Sequence, residues 1–281
     1  MDYDYEAGVV PFVLEADHTI KSLIFEMAPI YRSEFGEMQD VTVPLFTELH
    51  STSESILILL QNRGVYDADV LLRTVMEGTV KYCYLMTGDY DVRKEKYEEY
   101  KVDLTNIDKL VDHQKAVQAV EILKEFSDHN TKPFEASILK EAEREILESQ
   151  YPRDKRNRMK GKWSYGTLLR DLAQKYKEYE AQLGSLSSYA LTSHFCHFDW
   201  TGVSMRNEQV MIASKDDGAL EFAHALRILS NVITCYLLRV VEYMRGNSYS
   251  SPQLATLSMS AYDLTSRINA LQNKIVENEM K

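Results

Sequence analysis

Two pairs of side chains stand at a spacing that puts them on one helical face and carry atoms able to do chemistry. Arg73 and Glu77 lie four residues apart inside the apolar run Asp67–Gly88, so both project from the same side of a helix and can pair. Burying them costs roughly several kcal/mol per ion, which pairing offsets only when further hydrogen bonds complete it. Ser193 and His197 are also four apart, with His194 between them. Imidazole transfers protons near neutral pH, and a guanidinium stabilises phosphate charge. The candidate catalytic set is therefore His197 as acid or base, Arg73 on phosphate, Glu77 orienting Arg73, and Ser193 bonding the substrate or the histidine. The bland alternative for the same residues is a charged clamp that fixes helix register.

Metal chemistry has weaker support. His194 and His197 stand one turn apart, and Glu15 with His18 and Glu221 with His224 both match Glu-x-x-His, the spacing used twice in di-iron four-helix bundles. Two ligands do not make a site, and a di-iron centre needs further carboxylates from other helices. No metal and no cofactor are expected. The chain contains no G-x-G-x-x-G, P-loop, G-x-S-x-G or H-E-x-x-H, which removes the common nucleotide, hydrolase and zinc-protease readings. No arginine is followed by histidine at the spacing Arg-x(4–6)-His of helical toxin-type ribonucleases.

A net charge of −11 over 281 residues repels nucleic acid from most of the surface. The one dense basic patch, Tyr151–Lys162, reads as a loop holding Arg153, Lys155, Arg156, Arg158, Lys160 and Lys162, followed by Trp163 and Tyr165. It either contacts RNA or phosphate, with the aromatic residues stacking, or is an exposed connection. Arg153, Arg156, Arg158, Lys160, Lys162 and His194 are the candidate substrate-binding residues.

The elements that must position these groups are helices. Eleven glycines and six prolines are few for this length, and apolar residues recur at helical spacing along most of the chain. An all-α, bundle-like fold is expected. Helices are read at Glu15–Phe35, from Pro44 to Gly64, from Asp67 as cap to Gly88, across Asp91–Asp128, at Phe134–Ser149, at Ser164–Gln182, at Leu186–Phe198, at Ala219–Arg245 and at Gln253–Lys281. Residues 200–218 read as an irregular loop, the expected lid or protein-partner surface. Residues 1–246 are taken as one helical domain, and 247–281 as a linker and C-terminal helix whose apolar positions permit a homodimer. No stretch reaches the roughly 20 apolar residues of a membrane span. No secretory signal opens the chain, and three cysteines without C-x-x-C suggest reduced thiols, so a cytoplasmic location is expected.

The run Leu71-Leu72-Arg73-Thr74-Val75-Met76-Glu77, followed by Tyr82, Tyr84 and Leu85, resembles a prokaryotic family known as domain of unknown function fifty-six seventy-seven. Trp163, Leu172-Ala173, Tyr176, Tyr179, Tyr189, Ser193 and His197 extend the resemblance, to about Leu45–Val241. His194 and the aromatic run Phe195–Trp200 depart from the simpler residues usual there. The resemblance implies a helical fold in which Arg73, Glu77, Ser193 and His197 converge, in a family often met beside mobile or defence-related genes. Two functions are weighed: a defence or stress effector acting on RNA or a nucleotide by metal-independent acid–base chemistry, and a non-enzymatic interaction module in which the same network is structural.

If the basic patch binds RNA, reversing several of its charges will weaken affinity and flatten its salt dependence while the fold persists. Affinity measured across a salt series checks this; unchanged binding would remove the patch from the RNA reading.

Overall fold

The computed structural model describes residues 4–31, 38–125, 130–197, 199–213 and 218–279. Among them every regular element is helical and there is no strand, so the fold is all-α. The chain divides into two compact units, one formed by residues 1–88 with 169–281 and the other by residues 89–168.

The first unit holds α1 (Tyr5–Gly8), α2 (Val10–Tyr31), α3 (Gln39–Gln61) and α4 (Val65–Met86) from its N-terminal part. The helix expected from Glu15 starts earlier, at Val10, and continues through Pro29. Pro44 lies inside α3 rather than in its first turn. The α3–α4 turn is made differently from the expected glycine stop: Arg63 takes the left-handed conformation (φ 60°) and Gly64 donates its N–H to Leu59 O at 2.7 Å. Gly64, not Asp67, caps α4; Asp67 sits in the first turn, where a carboxylate complements the helix dipole.

Residues 89–168 form the second unit. Asp89 caps α5 (Tyr90–Glu98) by accepting from Val92 N at 3.0 Å. A π-helical turn, Glu99–Asp103, leads into α6 (Leu104–Lys124). The single helix expected over Phe134–Ser149 is two, α7 (Lys132–Glu135) and α8 (Glu141–Gln150), and part of the preceding break, residues 126–129, lies outside the described residues. Ile107, Leu110, Leu147 and Tyr151 form this unit's own apolar cluster, with Leu139 and Met159 against it. The basic patch is a helix, α9 (Arg153–Lys162), not a loop. Pro152 opens it, a fixed φ that suits a helix start. The π-turn carries its anchors: Glu99 accepts from Lys162 Nζ at 2.7 Å and from the Trp163 indole at 3.1 Å, and Asp103 accepts from Tyr151 OH at 2.8 Å.

The chain re-enters the first unit along α10 (Tyr165–Lys175), then a 3-10 segment (Lys177–Gly184) and α11 (Ser185–His197). The expected irregular loop is mostly another helix, α12 (Trp200–Ala213); residues 214–217 lie outside the described residues. Among the described positions of α12, 200–207, only Gly202 is buried, so that stretch offers no apolar stripe for periodicity to report. Two long helices finish the unit, α13 (Ala219–Gly246) and α14 (Pro252–Glu279).

α4 and α13 lie at the centre and run parallel, as their pairings show: Asp69 meets Arg227 near their starts and Thr79 meets Arg239 further along both. α13 is long and apolar enough to cross a membrane by length and composition alone. Here its apolar side, including Leu226, Ile228, Leu229, Val232 and Ile233, is buried within the unit. α11 packs on α4 as expected, through Tyr189 and Phe195.

Where α3 meets α4, Gly78 allows the approach, since a Cβ there would lie 2.4 Å from Cδ2 of buried Leu49. Gly78→Val is expected to destabilise the chain by about 1–3 kcal/mol through overpacking, read as a lowered denaturation midpoint with an unchanged m-value.

Candidate functional site

Along α4, Asp69, Arg73 and Glu77 stand four residues apart in turn, so they form one stripe with about 6 Å between successive positions. Two polar groups build on that stripe, one against α11 and one against α13.

In the first, Tyr189 of α11 stands between Arg73 and Glu77. The Arg73 guanidinium lies 4.1 Å from the centre of the Tyr189 ring and donates to Tyr189 O at 3.2 Å. The Tyr189 hydroxyl donates to Glu77 at 3.1 Å, and Lys81 supplies a second donor at 2.8 Å. The two charges thus meet through a tyrosine rather than by direct contact. Burial acts to raise the Glu77 pKa, but the hydrogen bond and charge of Lys81, the Tyr189 hydroxyl and Arg73 outweigh it and hold the carboxyl below its ordinary value. Ser193, one turn beyond Tyr189, is half-buried, and His197 is exposed at the end of α11. Among the described residues neither is hydrogen-bonded to Arg73 or Glu77.

His194 turns the other way. Its Nδ1 lies 2.6 Å from Asp199, whose second oxygen accepts the Gly202 N–H at 3.0 Å and so starts α12. The His194 bond is the main cause holding the Asp199 carboxyl below its usual range. Gly202 lets α12 press on α11, since a Cβ would lie 2.4 Å from His194 O.

The second group was not read as a site from sequence. Asp69 is fully buried, and both its oxygens lie 2.9 Å from Arg227 Nη2 of α13. His224 Nε2 is 3.0 Å from Asp69 and 2.8 Å from the same Arg227 nitrogen. A protonated Nε2 donates to Asp69, and an unprotonated one accepts from Arg227, so either proton state finds a partner. The Tyr66 ring stands edge-on to His224 at 5.7 Å and to Phe195 at 5.6 Å. Arg206 of α12 lies 4.8 Å over the Tyr66 ring and donates to Asp67 at 2.9 Å. The Tyr66 hydroxyl and Arg227 Nη1 are buried without a hydrogen-bond partner among the described residues. Burial, then the charge of Glu221, pushes the Tyr66 phenol up to about 12.

The available signal was an acidic residue amid the buried positions of α4, together with polar positions on an otherwise apolar α13. The Glu-x-x-His spacing gives His224 the partner Glu221. Glu221 instead pairs with Arg63 at 3.2 Å, and Glu15 pairs with Arg267. Among the described residues no three histidine, cysteine or acidic side chains gather as a metal site.

Of the basic candidates in the second unit, Lys160 reaches Asp108 at 3.8 Å and Lys162 is held by Glu99. Lys155 Nζ lies 4.5 Å over Tyr151. Arg153, Arg156 and Arg158 have no acidic partner among the described residues; Arg153 and Arg156 share one side of α9 and Arg158 lies on another.

Because the folded pKa of Glu77 is depressed, its stabilisation is present above the unfolded value and is lost as pH falls through the folded one. Glu77→Gln is therefore expected to lower thermal stability at neutral pH and to reduce its loss on acidification below the ordinary glutamate range, measured by melts across pH.

No curated protein and no solved structure matches this chain. One family model does, over residues 39–212, which takes in Arg73, Glu77, Ser193 and His197 and stops short of α13. That match covers more than half of the sequence, and the chain belongs to this family of unknown function, DUF5677.

Proposed function

We propose that this chain is a defence or stress effector acting on RNA or a nucleotide by metal-independent acid–base chemistry at the seam of α4, α11 and α13. One observation carries the reading: a fully buried carboxylate, Asp69, fixes an imidazole beside a guanidinium that still has an N–H to give. Orienting a histidine through a buried carboxylate is how its tautomer and direction are set for proton transfer. A neighbouring guanidinium binds the phosphate whose charge changes in the reaction.

His224 is the better-equipped acid or base, since it is oriented by Asp69, whereas His197 is exposed at a helix end. Arg227 binds phosphate through Nη1, with the Tyr66 hydroxyl as a second polar contact. Arg73 lies one turn along the stripe and is kept in place by Tyr189. The charge is unevenly divided between the two units. Residues 89–168 hold 17 acidic and 16 basic side chains, a net −1, so the remaining residues carry −10. A nucleic acid is repelled least by the second unit, where α9 presents Arg153, Arg156 and Arg158.

The interaction-module reading has its own support in large exposed apolar side chains, Trp200 on α12 and Met259 and Tyr262 on α14. These surfaces suit a protein partner or a second copy.

Expression in a bacterial host separates the two readings, with growth and total RNA compared among wild type, His224→Gln and His197→Ala. His224→Gln is expected to reduce RNA loss or nucleotide turnover by about 10²-fold or more with the thermal midpoint little changed. Equal activity in that variant would move the acid–base role to His197 if His197→Ala is inactive. No effect of the wild type on growth, RNA or nucleotides would favour the interaction module.

A further inference from the structure

Arg239 of α13 is, among the described residues, the largest side chain that the fold encloses completely. Its guanidinium cannot neutralise itself, because arginine keeps its proton under any ordinary condition. A buried ion of this kind costs roughly several kcal/mol unless it is paired and hydrogen-bonded. The groups that face it come from three helices and none carries a formal negative charge. From α3 come the Ser53 hydroxyl at 3.3 Å and the Phe46 ring at 5.4 Å; from α4 comes the Thr79 hydroxyl at 3.4 Å; from α13 comes the Tyr236 ring at 4.9 Å. Cys83, Cys235 and Tyr82 complete the polar surroundings. Burial pushes both thiols and the Tyr236 phenol up, so they stay protonated.

Both hydroxyl bonds are long for hydrogen bonds, and the Nε–H is buried with no acceptor. No carboxylate among the described residues pairs with Arg239. Glu242, one turn further along α13, accepts at its Oε1 from the Tyr179 hydroxyl at 2.8 Å and from Arg245 Nη1 at 2.9 Å. Arg227, on the same helix, shows the contrast: partly exposed, it has Asp69. The more deeply buried arginine has the weaker set of protein partners.

We propose that Arg239 anchors an internal site for a small monovalent inorganic anion of the chloride class, accepting the Nε–H within the packing of α3, α4 and α13. One negative charge balances one guanidinium, whereas a phosphate or sulfate dianion would leave an excess charge in the same apolar shell. Complete enclosure of the side chain also restricts the ligand to a small ion. The rings of Phe46 and Tyr236 attract the cation through their faces and Ser53 and Thr79 hold its two terminal nitrogens, so the Nε edge is the one left for the anion. The site is independent of the seam at Asp69 and of any reaction there.

The test uses the full chain dialysed into sodium gluconate, with chloride, bromide or gluconate added at constant ionic strength. Wild type is expected to show a saturable rise in thermal midpoint with chloride and bromide, of the order of 3 °C at ten times the dissociation constant. Arg239→Gln is expected to lose that dependence. Crystals of wild type soaked in bromide keep the proposal falsifiable even if the variant does not fold: an anomalous peak beside Arg239 Nε supports it. Midpoints identical in the three salts, a chloride response retained by a folded Arg239→Gln, or no bromide beside Arg239 would each overturn it.

Discussion

Burying guanidinium charge against α4 is the constraint on which the first unit depends. α13 carries two arginines onto the parallel helix α4, and neither can shed its charge. Near the start of the contact, Arg227 is answered by Asp69, and His224 joins the same carboxylate. Further along, Arg239 is answered only by hydroxyls and ring faces. A helix shifted by one residue would rotate its side chains by about 100° and leave buried Asp69 without Arg227. That shift would also turn part of the buried apolar side of α13 out of the core, and it would leave a buried carboxylate unpaired. The apolar side and the charges therefore set the register together.

With that register fixed, the remaining stripe of α4 comes to face α11. Tyr189 joins the two helices by using all of its chemistry: the ring takes the Arg73 cation, the carbonyl takes an Arg73 N–H, and the hydroxyl goes to Glu77. Phe195 brings the far end of α11 to Tyr66 and His224. The same polar side chains thus serve as fasteners and are the groups that the proposed reaction would use. α12 is attached in another way, through the His194–Asp199 bond, the close approach at Gly202 and the exposed pair Arg206–Asp67. Exposed pairs of that type contribute little and are screened by salt.

The second unit solves its own packing with a different device. A π-turn changes the angular spacing of α5 and α6, so Glu99 and Asp103 both reach the α8–α9 segment and hold Lys162, Trp163 and Tyr151. Such turns are rare and concentrate at functional positions. Here the turn fixes the one strongly basic helix in a chain of net charge −11.

Much of this was legible in residue order. Helical periodicity marked α2, α3, α4, α11 and α13, and the scarcity of glycine and proline excluded a β fold. Spacing places Arg73 and Glu77 on one face of α4, where Tyr189 joins them; Ser193 and His197, singled out in the same way, make no hydrogen bond to either among the described residues. Boundaries failed where local rules compete: Arg63, not Gly64, takes the left-handed turn, and Pro44 lies within its helix. α9 and α12 escape periodicity, which reports only helices that bury a face: α9 buries none of its residues, and the described positions of α12 bury only Gly202. What the sequence determined by itself was the helical class and the chemical types available along each helix, since both follow from neighbours within a few residues. The partner of each charge was decided only by tertiary structure. Asp69 and His224 are 155 residues apart, and their meeting depends on two helices packing in parallel at one register, a geometry that no local pattern encodes.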